Sequence, residues 1–571
     1  MTTASDTGGI RRLAASCVAT GLAILLAACG GGSGSGSGSM TTAGTSAAPM
    51  PGPSSTMMSA TTKAAESEDD DKGFRTVPKA NCGAEDRAET GLQGQVSAAL
   101  RASGFKGFNC NLKLIGQVRG DGANWQTAEF KDRVHKCAYH GTSYATANRT
   151  QLGVPVADVT NPSRPTVTGY LTTSSMLDPW ESLKVNERRQ LLAADEAFNG
   201  GLFGAGGPGI DIYDLSEDCR YPQLLASIGV GNPNGSTGIP VGVVGHEGSW
   251  APDGLTYYGG DLTNKQYYAV DTTIPTKPKL LATWQTGVVV PAGGANLLTH
   301  GLSISDDGMR GYFVSLASLP AAALSDPTVA PVNGLLIYDT SEIQLRKPNP
   351  SVPLISKLFW KDGGVSQHTI NVRIGGKPYV VFVDEGGPAG NGTAGPAAAC
   401  AANLPPYPMA RIIDISNERH PFIVSRLALE IHNPANCSQT LPDIVGLTAF
   451  TYGSHYCSVD NRQEATTLVC GYFNAGIRVF DIRSPRHPKE IAYYNPAGTT
   501  TPSPGSNHIG PLVAANNWVS GGPDWCSAQA HLDAREGTLW TTCQDNGLLV
   551  LKFENGVWPF PTSRTPPGQQ N

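Results

Sequence analysis

The sequence predicts an all-β chain, a seven-bladed β-propeller closed by an N-terminal outer strand and preceded by a disordered tether. Three observations lead there. One strand-like segment recurs seven times, at 153–158, 209–214, 266–271, 334–339, 410–414, 476–481 and 547–552, with a spacing of 56 to 75 residues. Six of the seven copies end in Asp and reach a proline downstream. An unmatched strand-like segment also lies at each end of the array. A unit repeating at this period marks a repeat architecture, so one unit has to be understood before any single residue.

The unit itself has a physical logic. An Asp ending a strand can bond the backbone of the following turn, and a proline can open a strand only at a sheet edge. The prolines are Pro165, Pro222, Pro278, Pro421 and Pro488, seven or eight residues after the Asp, and Pro353 after a longer insertion. Each unit therefore ends strand, Asp-anchored turn, outer strand. The last copy lacks both the Asp and the proline and needs an outer strand from elsewhere. Residues 111–118, Asn-Leu-Lys-Leu-Ile-Gly-Gln-Val, read as an outer strand without a blade. Joining the two closes the ring at seven blades and removes the open edges of a linear array.

These copies, such as Asp158-Val-Thr-Asn-Pro-Ser-Arg-Pro165 and Asp414-Ile-Ser-Asn-Glu-Arg-His-Pro421, resemble the LVIVD-repeat family over about residues 108–556. The resemblance implies that the units are propeller blades.

The N-terminus reads as a processing signal. Arg11 and Arg12 precede an apolar run that ends at Leu26-Ala27-Ala28-Cys29. The order basic, apolar, small is that of a secretory signal, too short for a comfortable membrane span. The last four residues resemble a bacterial lipobox, which implies removal of 1–28 and lipidation of Cys29. Residues 29–80, rich in Gly, Ser, Thr, Ala and Pro, cannot bury a core and read as a flexible linker spanning about 35–45 Å. The propeller is expected over 81–560, with a C-terminal tail at 561–571. The expected location is the bacterial cell envelope, with the membrane engaged through the N-terminal lipid.

Composition sets further bounds. The chain of 571 residues carries 68 Gly and 42 Pro, as suits many strands and long loops. A net charge of −6, with no basic strip, gives no reason to expect nucleic acid. Setting aside Cys17 and Cys29 leaves ten cysteines, and an even number in an exported chain points to disulfides. Cys457 and Cys470 flank a presumed turn at 461–465, as Cys526 and Cys543 flank one at 535–537, so each pair could face across a hairpin. Cys400 could be tied to Cys437. No zinc-type cysteine spacing, Gly-x-Ser-x-Gly elbow or complete phosphate loop occurs. The acidic pairs Asp306-Asp307 and Asp384-Glu385 read as turn residues.

The histidines carry the chemical signal. Six of eleven fall at one place in their repeat, the start of the innermost strand: His135, His246, His300, His368, His455 and His531. Trp180 takes that place in the remaining unit. Innermost strands line the channel of a propeller, so this pattern predicts a ring of imidazoles around the axis. Such a ring could hold copper or another transition metal, or could hydrogen-bond neighbouring blades. A likeness in kind exists to nitrous oxide reductase and to the selenium-binding and methanethiol oxidase proteins, propellers linked to copper, without matching motifs. His140, His420, His432, His487 and His508 read as solvated. Insertions at 196–208, 316–333 and 386–409 all fall between second and third strands, hence on one face, where binding specificity commonly resides. Two functions follow as expectations: a tethered binding or scaffold module for an envelope protein or small ligand, or a copper-type oxidoreductase.

Overall fold

The computed structural model describes residues 74–560 except 124, 142–149, 178, 196–208, 230–244, 263, 291–295, 393, 446–448 and 500–521. Seven antiparallel sheets follow one another along the chain as the seven blades of a closed propeller. The recurring segments are the third strands: Val154–Asp158, Gly209–Asp214, Gln266–Asp271, Gly334–Asp339, Ala410–Asp414, Ile477–Asp481 and Gly547–Phe553. The glycines that open several of them have a steric reason. Gly153 and Gly547 have positive φ (87° and 68°), and a Cβ there would lie 1.9 Å from Leu171 O and 2.3 Å from Arg119 O.

Each terminal Asp anchors its turn. The side chains of Asp158, Asp214, Asp271, Asp339, Asp414 and Asp481 each accept from the backbone N–H two residues on, at 2.8–3.1 Å. The outer strands begin directly after the prolines, at Thr166, Gln223, Lys279, Leu354, Phe422 and Lys489. The seventh is Leu112–Val118, which pairs antiparallel with Gly547–Phe553 and closes the ring.

All seven outer strands carry a one-residue register shift against the third strand. The skipped residues are Ile115, Thr168, Leu225, Leu281, Ile355, Val424 and Ile491. Side chains alternate between sheet faces, so an extra residue re-aims one of them. The six apolar ones join the clusters packed between adjacent blades. The bulge thus twists an exposed edge and adds an apolar side chain to the core.

Two features depart from the sequence reading. The sixth blade gains a fifth strand, Phe108–Cys110, on Lys489–Asn495, so one N-terminal stretch serves two adjacent blades. Residues 74–80, assigned to the linker by composition, pack on the propeller: Val77 is buried, its N–H donates to Ala428 O at 2.8 Å, and Pro78 O accepts from Glu490 N. Composition cannot register such contacts, because they are made with strands more than 300 residues away. Residues 1–73, including Cys29, lie outside the described residues, as does the tail 561–571.

Five disulfides are present: Cys457–Cys470, Cys526–Cys543, Cys400–Cys437, Cys82–Cys110 and Cys137–Cys219. The first is a directly opposed cross-strand pair. The insertions at 316–333 and 386–409 carry short helices, Ala321–Leu324 and Ala394–Ala401. They pack together through Leu319, Leu324 and Val329 against Ala398, Ala402 and Leu404. The insertion at 196–208 lies outside the described residues.

The bulge residues should behave as core. Ile491→Ala should destabilise by about 2–4 kcal/mol through lost burial and the cavity left behind, whereas Lys489→Ala in the same strand should stay within about 0.5 kcal/mol. Urea unfolding of the two variants beside the parent decides it, and equal midpoints would refute the role given to the bulge.

Candidate metal centre

Close to the axis, side chains from four blades meet at one carboxylate, and a fifth blade adds a second carboxylate beside it. Glu181 of the second blade places Oε2 3.1 Å from His246 Nε2 and 2.8 Å from His300 Nε2, and Oε1 2.9 Å from His455 Nε2. Glu385, from the end of the fifth blade's second strand, places Oε2 3.0 Å from the same His455 nitrogen. The five side chains are 0–9% exposed. The local reason is the inter-blade step: Glu181 and Glu247 form a parallel bridge between the second and third blades, which fixes where each inner strand begins.

The histidines are oriented from behind. His300 Nδ1 bonds Ser366 O at 2.8 Å and His455 Nδ1 bonds Ser527 O at 2.9 Å, each on the following blade. Such a carbonyl bond protonates Nδ1 and leaves Nε2 as the inward lone pair of a neutral ring, the arrangement of metal-ligating imidazoles. His455 Nε2 is buried beside two carboxylates without hydrogen-bond geometry to either. The donors fall into two sets, Glu181/His246/His300 and Glu181/Glu385/His455, each within 4.8 Å, and imidazole nitrogens with carboxylate oxygens suit a divalent first-row transition ion. The residues fit such an ion.

Without an ion, protons take its place. Burial opposes charge on His300, but Glu181, with Glu385 and Glu247 behind it, outweighs burial and lifts the pKa to about 9. His455 is treated alike by burial, Glu181 and Glu385 and rises to about 10. Burial wins at His246, which is lowered. At Glu181 burial is overcome by the three histidines around its oxygens, and the carboxyl sits well below its usual range.

The remaining ring positions behave differently. His135 is not on an inner strand: that strand is Thr127–Lys131, and His135 lies in the turn after it, 3.4 Å from Asp132 and 3.6 Å from Asp218. His368 lies along the channel, stacked on Tyr456, with Nε2 accepting from Cys457 N at 3.4 Å. His531 bonds Thr127 Oγ1 at 2.9 Å, stacks on Trp540, and is pushed by burial and Lys136 down to about 3. These three do not join the cluster. At the seventh position Trp180 is not the axial residue; its neighbour Glu181 is. Trp180 instead packs 5.8 Å from the His246 ring, in an aromatic shell with Trp125 and Phe473, which lie 5.2 and 5.1 Å from His455.

Sequence reasoning missed both carboxylates. Glu181 stood beside the residue counted as the ring member, and Asp384-Glu385 was read as a turn, whereas both lie buried in the strand Lys377–Gly386, with Asp384 bound to Arg411. Two histidines taken as solvated are buried: His140, lowered by burial to about 4, and His432, bonded to Pro408 O and likewise lowered to about 4. His420 and His487 are exposed, and His508 lies outside the described residues.

Below the cluster the channel opens into a cavity of about 690 Å3, lined by inner strands of all seven blades. Lys184, Glu247, His368 and Tyr456 line it, and none of the five clustered residues does.

No family model matches this chain, and no curated protein does. Among solved structures, it is similar to a 6-phosphogluconolactonase candidate from Bacteroides uniformis (11% identity, TM-score 0.44, 74% of this chain and 94% of that one). A second such candidate, from Bacteroides fragilis, is 8% identical with a TM-score of 0.41 over 73% and 93%. A Lactobacillus plantarum protein is 10% identical with a TM-score of 0.39 over 64% and 83%.

The raised pKa values at His300 and His455 make a pH prediction for chelated protein. A raised folded-state pKa contributes stability that is complete below the unfolded value of 6.5 and lost as pH rises through about 9 to 10. The lowered Glu181 contributes stability present above its unfolded value and lost as pH falls. Chelated protein should therefore melt highest between about pH 5 and 7 and lose on the order of a few kcal/mol by pH 10, in the His300→Ala variant much less. Thermal melts across pH check this, and a parent profile flat from pH 6 to 10 would contradict it.

Proposed function

We propose that this chain is a lipid-tethered LVIVD-repeat propeller of the bacterial cell envelope that works as a binding module, with its ring clamped by one transition-metal ion. The observation that carries the metal reading is the convergence of His246, His300, His455, Glu181 and Glu385, from five blades, with two imidazoles locked through Nδ1. Glu181, His246 and His300 would hold the ion, with His455 and Glu385 forming the second set against the other oxygen of Glu181. The ion's chemistry there would be that of a cross-link: it would take the place of protons at the imidazoles it binds and tie the blades that supply its ligands at the axis. The donors are buried and none lines the described cavity, features of a closed holding site rather than one that keeps a position open for substrate. That favours the binding module over the copper-type oxidoreductase.

The paired insertions support a partner-binding face. Residues 316–333 and 386–409 form a joint surface, and Cys400–Cys437 staples the second of them. A rigid ring carrying ordered loops on one side, tethered through Cys29, is suited to capture an envelope protein or small ligand beyond the membrane surface.

The ion is tested by elemental analysis and melting. Protein reconstituted with copper, zinc, nickel or cobalt should retain about one ion per chain at micromolar or tighter affinity and melt higher than chelated protein. His300→Ala and Glu181→Gln should abolish most of that increment. Less than about 0.1 ion per chain with every metal would end the reading. For the face, replacing 386–409 by a short Gly-Ser link together with Cys437→Ser should keep the cooperative melt and remove partners recovered from envelope extracts. An unchanged set of partners would place binding elsewhere.

A further inference from the structure

The channel wall carries a largely buried cation, Lys184, that is held by long contacts. Several polar groups along that wall pair with one another or with the backbone: Thr127 donates to Gln529 O, Ser303 pairs with Thr369, Ser458 donates to Ala530 O, and Arg462 to Asn371. Two of the acids are engaged too, Glu129 by Lys136 and Trp540, Asp460 by Thr466. Lys184 differs. Its ammonium lies 3.8 Å from a Glu247 oxygen, longer than a hydrogen bond, and 5.0 Å over the Tyr456 ring. Glu247 meanwhile accepts from Gln367 Nε2 at 3.2 Å. The Lys184 side chain is only 19% exposed, and what exposure remains is to the cavity.

An ammonium so largely desolvated, with its counter-charges on Glu247 at 3.8 Å and on Glu181 and Asp195 beyond, is short of close acceptors. Burial pulls the Lys184 pKa down even with Glu247 beside it. An oxyanion in the cavity would supply the missing acceptors as charge-assisted hydrogen bonds. The space of about 690 Å3 is that of a small-molecule site.

We propose that the inner end of the channel is a binding site for the oxyanion group, carboxylate or phosphate, of a small molecule, with Lys184 as its anchor. The site lies apart from the metal cluster and does not require an ion there.

Calorimetric titration of chelated full-length protein with inorganic phosphate and with acetate, at constant ionic strength, tests it. At least one anion should bind saturably, the better one naming the group, and Lys184→Met should weaken that binding about tenfold or more. Lys357→Met, at an exposed position of the fourth blade's outer strand and away from the cavity, should leave it unchanged. Should Lys184→Met not fold, acetylation of Lys184 in the parent protein, read by peptide mass spectrometry, should be slowed by the bound anion. Absence of saturation by both anions up to about 10 mM, equal binding by Lys184→Met, or no protection of Lys184 would overturn the proposal. Metal content is measured separately, so failure of the metal reading leaves this result standing.

Discussion

Closure of the ring governs everything else in this protein. A seventh sheet ending at Gly547–Phe553 would present a row of unpaired backbone groups, and Leu112–Val118 satisfies them from the other end of the chain. Because that strand is covalently continuous with Phe108–Cys110 on the sixth blade, the chain's beginning binds two blades at once. Cys82–Cys110 and the buried Arg478, paired with Glu89 and Glu490, fasten the same N-terminal segment. The contacts that hold the circle are thus among the longest in sequence.

A closed circle forces the starts of the inner strands together, and the electrostatics of the axis follow. Glu181 is buried among three imidazoles, an arrangement that would be costly for any one of these groups alone. It is tolerated because the partners answer one another: the carboxylate pairs with His300 and lies within ion-pair distance of His455, and both rings are held by carbonyls of the next blade. The same geometry serves protons or a divalent ion. The aromatic shell of Trp125, Trp180 and Phe473 lowers the local polarity and strengthens either choice.

On the outside of the ring the bulges answer a different demand. Outer strands are edges, and a flat apolar edge invites pairing with other chains. The extra residue in each outer strand bends that edge while Ile115, Leu225, Leu281, Ile355, Val424 and Ile491 turn into the seams between blades. Rigidity from these seams lets the insertions at 316–333 and 386–409 stand as an ordered surface.

By itself the sequence determined the blade unit and the blade count. The third strands, the Asp-anchored turns and the outer strands opened by proline are local features, set by periodicity, a short side-chain acceptor and a fixed φ, and they stand where the residues place them. The strand completing the last blade was also legible, because an orphan strand and an incomplete unit at opposite ends leave few alternatives. His246, His300 and His455 could be placed near the axis for the same reason. Only the tertiary structure decided which residues meet there. The repeat register is loose by a few residues where strands and insertions vary, so His135 falls into a turn and Glu181 displaces Trp180 from the axis. Glu385 reaches the cluster from a second strand, a direction no inner-strand register could indicate. Burial made the final distinction: His140 and His432, polar in sequence, lie within the packed ring, because their environment is built by segments that only closure brings near.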